Sequence, residues 1–329
     1  MGNEHNHDHQ SGDEHKANGH SAKGHGDSRR HALECMIWAG TGVLWTLSGG
    51  VPKSFAMLGA AEAATALSGF TFLQISDSHV GFDKEANITA IDTLHEAVSK
   101  IGALQVKPAF MLHTGDITHL SKDAQFDDAA QIIGSTGIET HYVPGEHDLV
   151  DAGQGQAYLD RYGKGKQGAG WFSYDQNGVH FVGLVNVVNL KAGGLGNLGA
   201  DQLAWLAADV AGLSASTPIV VFAHIPLWAI YPQWGWGTDD SAQALALLQR
   251  FGSVTVLNGH IHQIIQKVEG NMTFHTARST AFPQPAPGAA DKPGPMIVPT
   301  EQLRGMLGLT SVTYVVGTQD LAITDSTLG

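Results

Sequence analysis

The sequence predicts an α/β protein with mixed sheets, and three observations lead there. From Gly69 onward, short apolar runs alternate with segments whose apolar residues recur every three or four positions. That is the pattern of strands interleaved with amphipathic helices. Turn-linked pairs of apolar runs read as hairpins, so the sheets are not purely parallel. Five apolar runs end in His, Asp or Glu at the carboxyl side, where open α/β sheets bind their ligands.

Taken in order, Phe70 to Ile75 is a strand, and Ile88, Ile91, Leu94, Val98 and Ile101 mark a helix. Pro108 to Leu112 is a strand, followed by a helix on Phe126, Ala129, Ala130 and Ile133 and a strand from Ile138 to Val143. Trp171 to Tyr174 and Val179 to Val188 form a hairpin through Gln176-Asn177-Gly178, since Asn-Gly supplies a tight turn. Leu203, Leu206 and Val210 mark a helix and Ile219 to Ala223 a strand. After Asp239 comes a helix bearing Leu245, Leu248 and Phe251, then the strand Val254 to Leu257. Ile264 to Val268 and Met272 to His275 make a second hairpin, and Thr310 to Val316 is a late strand. Residues 282–299 hold six of the 12 prolines and read as a long surface loop. The expected organisation is a leader at 1–63, a catalytic domain at 64–281, and a Pro-rich loop with a C-terminal extension packing on that domain at 282–329.

Composition bounds what such a chain can do. Of 329 residues 43% are hydrophobic and 15% charged, which describes a globular protein with a core. The formal charge is −13, and without residues 1–63, which hold five Lys/Arg and seven Asp/Glu, it is still −11. A nucleic-acid surface needs a basic face, so none is expected. An anionic substrate would need local positive charge, which metal ions can supply. The single cysteine, Cys35, excludes an intrachain disulfide.

Residues 1–31 are polar and carry seven of the 18 histidines. Such a tract cannot bury enough apolar surface to fold alone; it reads as a solvated leader or as a loose metal-binding tail. Arg29-Arg30, the apolar run Met36 to Val51, and Ala61-Glu62-Ala63 follow in the order of a secretory signal. The paired arginines resemble a twin-arginine signal. The expectation is therefore a periplasmic or secreted protein that engages export machinery and keeps no stable membrane association after cleavage.

The five polar strand ends are Asp77-Ser78-His79, Gly115-Asp116, Gly145-Glu146-His147-Asp148, His224, and Gly259-His260-Ile261-His262. A lone histidine after a strand is ordinarily structural; five such ends with one polarity point to a shared site. Imidazoles mixed with carboxylates suit Fe, Mn or Zn better than Ca or Mg. Two such cations ~3.5–4 Å apart activate water and neutralise the charge that builds during phosphoester hydrolysis. Glycines before Asp116, Glu146 and His260 are expected to permit tight turns. Along an extended strand, His260 and His262 would lie ~6.6 Å apart, one imidazole for each of two metals.

These blocks, over about residues 70 to 280, resemble the calcineurin-like metallophosphoesterase family. The resemblance implies a four-layer α-β-β-α sandwich with two mixed sheets and a binuclear site of two transition-metal ions at the strand ends. It implies Asp77, His79 and His262 on one metal, Asp116 bridging, and Glu146, His224 and His260 on the other. His147 would contact the phosphoryl oxygen and help protonate the leaving group. Asp148 would orient His147 or cap the following segment. Two positions depart from the family pattern. Glu146 stands where the family has Asn, adding a third carboxylate; it either ligates, favouring monoanionic diesters or a higher-valent metal, or turns away and leaves its place to water. His119 stands where purple acid phosphatases have a ligating tyrosine, so it either ligates or is free.

The arrangement is similar to bacterial cyclic-nucleotide phosphodiesterase-like members, so the expected activity is hydrolysis of small phosphoesters, leaning to phosphodiesters or nucleotides. A phosphomonoesterase and a non-catalytic periplasmic metal-binding protein are the alternatives. The aromatic stretch Trp228 to Trp236 stacks a nucleobase or sugar, or is loop packing.

Overall fold

The computed structural model describes residues 43–48, 51–56, 69–315 and 321–329. The chain divides into two compact units, Met1–Thr65 and Ala66–Gly329. In the first, Val43–Ser48 (β1) and Val51–Ala56 (β2) pair antiparallel. The histidine-rich tract, the paired arginines and Ala61-Glu62-Ala63 lie outside the described residues. No helix among the described residues is long and apolar enough to cross a membrane.

The second unit holds two mixed sheets. One contains Phe70–Ile75 (β3), Met111–Thr114 (β4), Thr140–Val143 (β5), Gly308–Tyr314 (β12) and Ala322–Thr327 (β13), in the order β13-β12-β3-β4-β5. The other contains Phe172–Gln176 (β6), Val179–Gly183 (β7), Ile219–Ala223 (β8), Val254–Asn258 (β9), Gln266–Glu269 (β10) and Met272–Thr276 (β11), in the order β10-β11-β9-β8-β7-β6. β3, β4 and β5 run parallel, as do β7, β8, β9 and β11. The flanking strands β12, β13, β6 and β10 run antiparallel to their neighbours.

Alternation along each strand builds the layers. Phe72, Phe110, Leu112 and Val312 of the first sheet face Phe181, Val220, Phe222 and Leu257 of the second. Phe72 and Phe110 stack at 5.0 Å, and Phe181 meets both edge-on, each such pair contributing about 0.5–1.5 kcal/mol beyond area burial. The neighbouring residues point outward. Leu73, Ile75 and Met111 pack with Leu94, Phe126 and Ile133, from helices Ala90–Gly102 (α1) and Asp123–Gly134 (α2), and with Tyr158 of Gln156–Tyr162 (α3). Val221 and Val256 pack with Leu206 and Leu248, from Ala200–Ala211 (α4) and Ser241–Leu248 (α5). The layer order is thus α-β-β-α.

Several boundaries differ from expectation. The second strand of the first hairpin stops at Gly183; Val185 and Val187 are buried but outside any strand. Ile88 is 71% exposed and precedes α1, whose apolar face begins at Ala90. Ile264 and Ile265 precede β10, and all four residues of β10 are exposed. Thr300–Met306 (α6) and β13 carried no sequence signal. Residues 308–327 supply two strands of the first sheet, with β12 paired directly to β3.

The parallel strands of both sheets end at one edge of the sandwich. The residues after β3, β4, β5, β8 and β9 are the five polar blocks.

Candidate metal centre

The structure brings all seven residues expected as ligands together. Asp77, His79 and His262 form one cluster and Glu146, His224 and His260 another. His262 Nε2 is 3.1 Å from Asp77 Oδ1 and 3.3 Å from His79 Nε2. Glu146 reaches both imidazoles of the second cluster: Oε2 lies 3.0 Å from His224 Nε2 and Oε1 3.0 Å from His260 Nδ1. Asp116 stands between, its Oδ2 3.4 Å from His79 Nε2 and 3.4 Å from His224 Nε2. One carboxylate oxygen equidistant from the two clusters is the placement a bridging ligand requires.

Tautomers are set from behind. His224 Nδ1 donates to the Thr114 carbonyl at 2.7 Å and His262 Nδ1 to the Phe282 carbonyl at 2.6 Å. Each Nε2 is then left with a lone pair facing inward. Burial works against charge on Glu146, but His260 and His224 hold its carboxyl well below the usual range. Burial likewise disfavours a charged His224, yet Asp116 and Glu146 raise it well above the ordinary value. The carboxylates thus make a place that favours positive charge.

The backbone is distorted where the ligand atoms converge. Eight non-glycine residues among those described have positive φ, and five are Asp77, His79, Asp116, His260 and His262. Asp and His tolerate the left-handed region better than bulkier residues, but each such conformation costs on the order of 1 kcal/mol or more. The expectation of an extended His260–His262 segment is therefore overturned. Its φ values are 70° and 55°, and the turn is closed by Ile261 N–H donating to Gly259 O at 2.8 Å. The glycines also act differently from expectation. Gly115 has φ +94°, a true left-handed turn, whereas Gly145 and Gly259 do not. A Cβ on Gly145 would lie 2.1 Å from Asp116 Oδ1, and one on Gly259 2.1 Å from Ser76 Oγ. Those two glycines permit close approach of loops rather than a special φ.

The residues present fit two metal ions. Glu146 Oε2 and His224 Nε2 are sealed from solvent and neither makes a hydrogen bond among the described residues, although they are 3.0 Å apart. Atoms in contact but unaligned for hydrogen bonding are arranged as ligands around a shared cation. Imidazole with carboxylate is a transition-metal donor set.

A family model for calcineurin-like phosphoesterases matches residues 70–264. The chain belongs to the calcineurin-like phosphoesterase family. It is 23% identical over 215 residues to a 3′,5′-cyclic-nucleotide phosphodiesterase of Nostoc sp., covering 64% of this chain and 77% of that one. It is 26% identical over 219 residues to serine/threonine-protein phosphatase CPPED1 of Danio rerio, covering 59% and 70%. The crystal structure of a dimetal phosphatase from Danio rerio shares the fold, with a TM-score of 0.57 at 15% identity over 79% of this chain and 96% of that one. The protein is accordingly a phosphoester hydrolase of the binuclear metal-dependent type.

In this phosphoesterase the remaining polar residues of the third block have separate places. His147 lines the cavity over the metal ligands, together with Lys84 and Phe282. Its Nδ1 donates to the His119 carbonyl at 2.8 Å, leaving Nε2 for the cavity. Burial opposes its charge, but Asp116, Glu146 and that hydrogen bond raise its pKa above the ordinary histidine value. Asp148 does not orient the His147 ring. Its carboxylate accepts the N–H groups of Ile117, Thr118 and Gly145 at 3.0, 2.8 and 3.0 Å and the Thr118 hydroxyl at 3.0 Å. It ties the Asp116 loop to the Glu146 loop from beneath, so it is a positioning residue and not a catalytic one. Burial, with Asp116, pushes its pKa up to about 7. His119 approaches His79 through Nδ1 at 3.4 Å, on the ring nitrogen away from Asp116, and stacks on His147 at 4.8 Å. It lies against two site histidines, and His79, His119 and His147 are themselves close enough to share an ion.

Sequence reasoning missed the support behind Asp77. Ser76 Oγ donates to Asp77 Oδ2, Thr114 Oγ1 to Ser76 Oγ at 2.7 Å, and Gln74 to Thr114 Oγ1 at 3.0 Å. Ser279 Oγ donates to the Asp77 carbonyl at 2.7 Å. The available signal was polar residues at Gln74, Ser76 and Thr114 within otherwise apolar strands. The aromatic stretch is loop packing: Trp234 and Trp236 are buried against Ile261, and Trp228 against Phe274.

Proposed function

We propose that the protein hydrolyses phosphodiesters in preference to phosphomonoesters, with Asp77, His79 and His262 on one metal, Glu146, His224 and His260 on the other, and Asp116 on both. Bound there, two transition-metal ions supply an activated water and the positive charge that phosphoryl transfer needs. Water oxygen bonds to phosphorus, the bond to the leaving oxygen breaks, and that oxygen takes a proton. His147 is placed to give it. Its Nδ1 is engaged by the His119 carbonyl, which orients Nε2 as the donor. The His147 backbone N–H donates to Asp116 Oδ1 at 2.9 Å, and Asp148 ties the two loops together beneath it, so the backbone that carries His147 is fixed beside the ligands.

The observation that carries the diester reading is Glu146. Each of its oxygens faces one imidazole at 3.0 Å, which supports a charged ligand rather than a side chain turned aside. Three carboxylates against two divalent ions leave one net positive charge, where the family's Asn would leave two. A monoanionic diester loses less attraction than a dianionic monoester. The test is the ratio of turnover on bis(p-nitrophenyl) phosphate to p-nitrophenyl phosphate in Glu146→Asn and the parent. A fall of on the order of tenfold in the variant is expected; an unchanged ratio with unchanged metal content contradicts the reading.

Export is a second part of the proposal, supported by Arg29-Arg30, the apolar run after it and Ala61-Glu62-Ala63. Cell fractionation of the parent and of Arg29→Lys/Arg30→Lys tests it: the parent enters the periplasm or medium and the variant stays in the cytoplasm.

A further inference from the structure

Beside the metal centre lies a second, larger cavity that neither metal ligation nor proton transfer uses. The cavity over the ligands is about 160 Å³; its neighbour is about 650 Å³. Glu146 and His147 line both, so an ester held at the metals opens into the larger space past the very residue placed to protonate its leaving oxygen. The wall of that space is apolar: Leu149, Val150, Val187, Val188 and Leu190. Val150, Val188 and Leu190 are 57%, 46% and 42% exposed, so three of the nine exposed large aliphatics of the described residues gather here. Beyond Glu146 and His147 at the metal end, its polar side chains are Gln154 and Asn189, and no Lys or Arg lines it. Gln154 is held at φ +52°, in the left-handed region.

From these surroundings we infer that the groove is the leaving-group subsite, and that the alcohol released is uncharged and largely apolar, an alkylphenol-like or alkyl group rather than a nucleoside phosphate. The absence of cationic lining disfavours a second phosphate. No Trp, Tyr or Phe lines the groove, and Trp234 and Trp236 are buried elsewhere, so the imidazole of His147, already placed for proton transfer, is the one ring there, which disfavours a stacked base. This assignment rests on the diester reading above for its chemistry.

The test uses the metal-loaded full-length enzyme and methyl 4-alkylphenyl phosphates with alkyl chains from none to butyl. Leaving-group acidity stays nearly constant along the series while apolar area grows. The expected result is a rise in kcat/KM for phenol release of roughly fourfold for each methylene fully buried, flattened in Val188→Asp and Leu190→Asp. Lengthening the retained alkyl ester instead gives no such rise. If those variants do not fold, Val150→Asn, on an exposed position, takes their place. A flat series in the parent, or a rise that survives in the variants, overturns the assignment. Calorimetric binding of the 4-alkylphenols reports the same slope without turnover. Chain-dependent alkylphenol binding with no diester cleavage therefore overturns the diester reading and leaves the subsite standing, whereas diester cleavage with flat rates and flat binding does the reverse.

Discussion

Asp77, His79 and His262 are each 2% exposed or less, whereas the Glu146 and His260 side chains are 27% and 13% exposed. The enclosed half of the centre is braced from several sides. Asp77 accepts hydrogen bonds from Ser76 and from the His260 N–H, and the Phe282 carbonyl fixes His262. Only the open half contributes a ligand to the larger cavity, through Glu146. Both halves line the cavity over the ligands, but the enclosed one is the more heavily braced, and the departure from the family's Asn falls on the half that opens to the larger cavity.

The comparison can be broken in several ways. The largest effect belongs to His147, which lines the cavity over the ligands and is proposed as the proton donor. His147→Ala is expected to lower kcat by about 10²–10⁴ while elemental analysis finds both metals still bound; metal loss in the variant would move His147 into the ligand set. Next, removing Asp77 leaves buried imidazoles unpartnered. Asp77→Ala should cost the metal-stripped protein about 3 kcal/mol or more in urea unfolding, and Glu146→Ala, whose side chain is 27% exposed, should cost less. Equal losses would erase the distinction between the halves. The Glu146→Asn ratio test, worth about tenfold, comes third. The smallest effect sits outside both halves. His180 bridges Asp175 and Asp209 at 2.8 and 2.9 Å, and although burial lowers its pKa, those bonds raise it overall. A histidine raised on folding contributes below its unfolded value of about 6.5 and loses that contribution as pH climbs through the folded value. His180→Gln should cost about 1 kcal/mol at pH 5.5, less at pH 9, with metal content unchanged at both. A pH-independent loss would sever the link to protonation.

The layers were legible because alternation writes them directly: Phe72 in and Leu73 out, Phe222 in and Val221 out. The ligand types and their order were legible because each follows an apolar strand. The conformation at the ligands was not. Five left-handed non-glycine residues follow from loops of two sheets being forced together, and no periodicity encodes that. Gly145 and Gly259 illustrate it, since their role depends on Asp116 and Ser76, remote in sequence. β13 was missed because Ala322–Thr327 is a polar strand at a sheet edge, and α6 because seven residues after Pro299 show too little periodicity. The tryptophans left base stacking and loop packing open from sequence alone; Trp234 and Trp236 pack on Ile261 and Trp228 on Phe274.

The central claim is that two metals bind per chain, one in each half. Anomalous scattering at the metal edges from crystals of the metal-loaded protein tests it most directly. The account predicts two peaks, one enclosed by Asp77, His79 and His262 and one by Glu146, His224 and His260, with Asp116 between them. A single peak, or a peak among His79, His119 and His147, would contradict it.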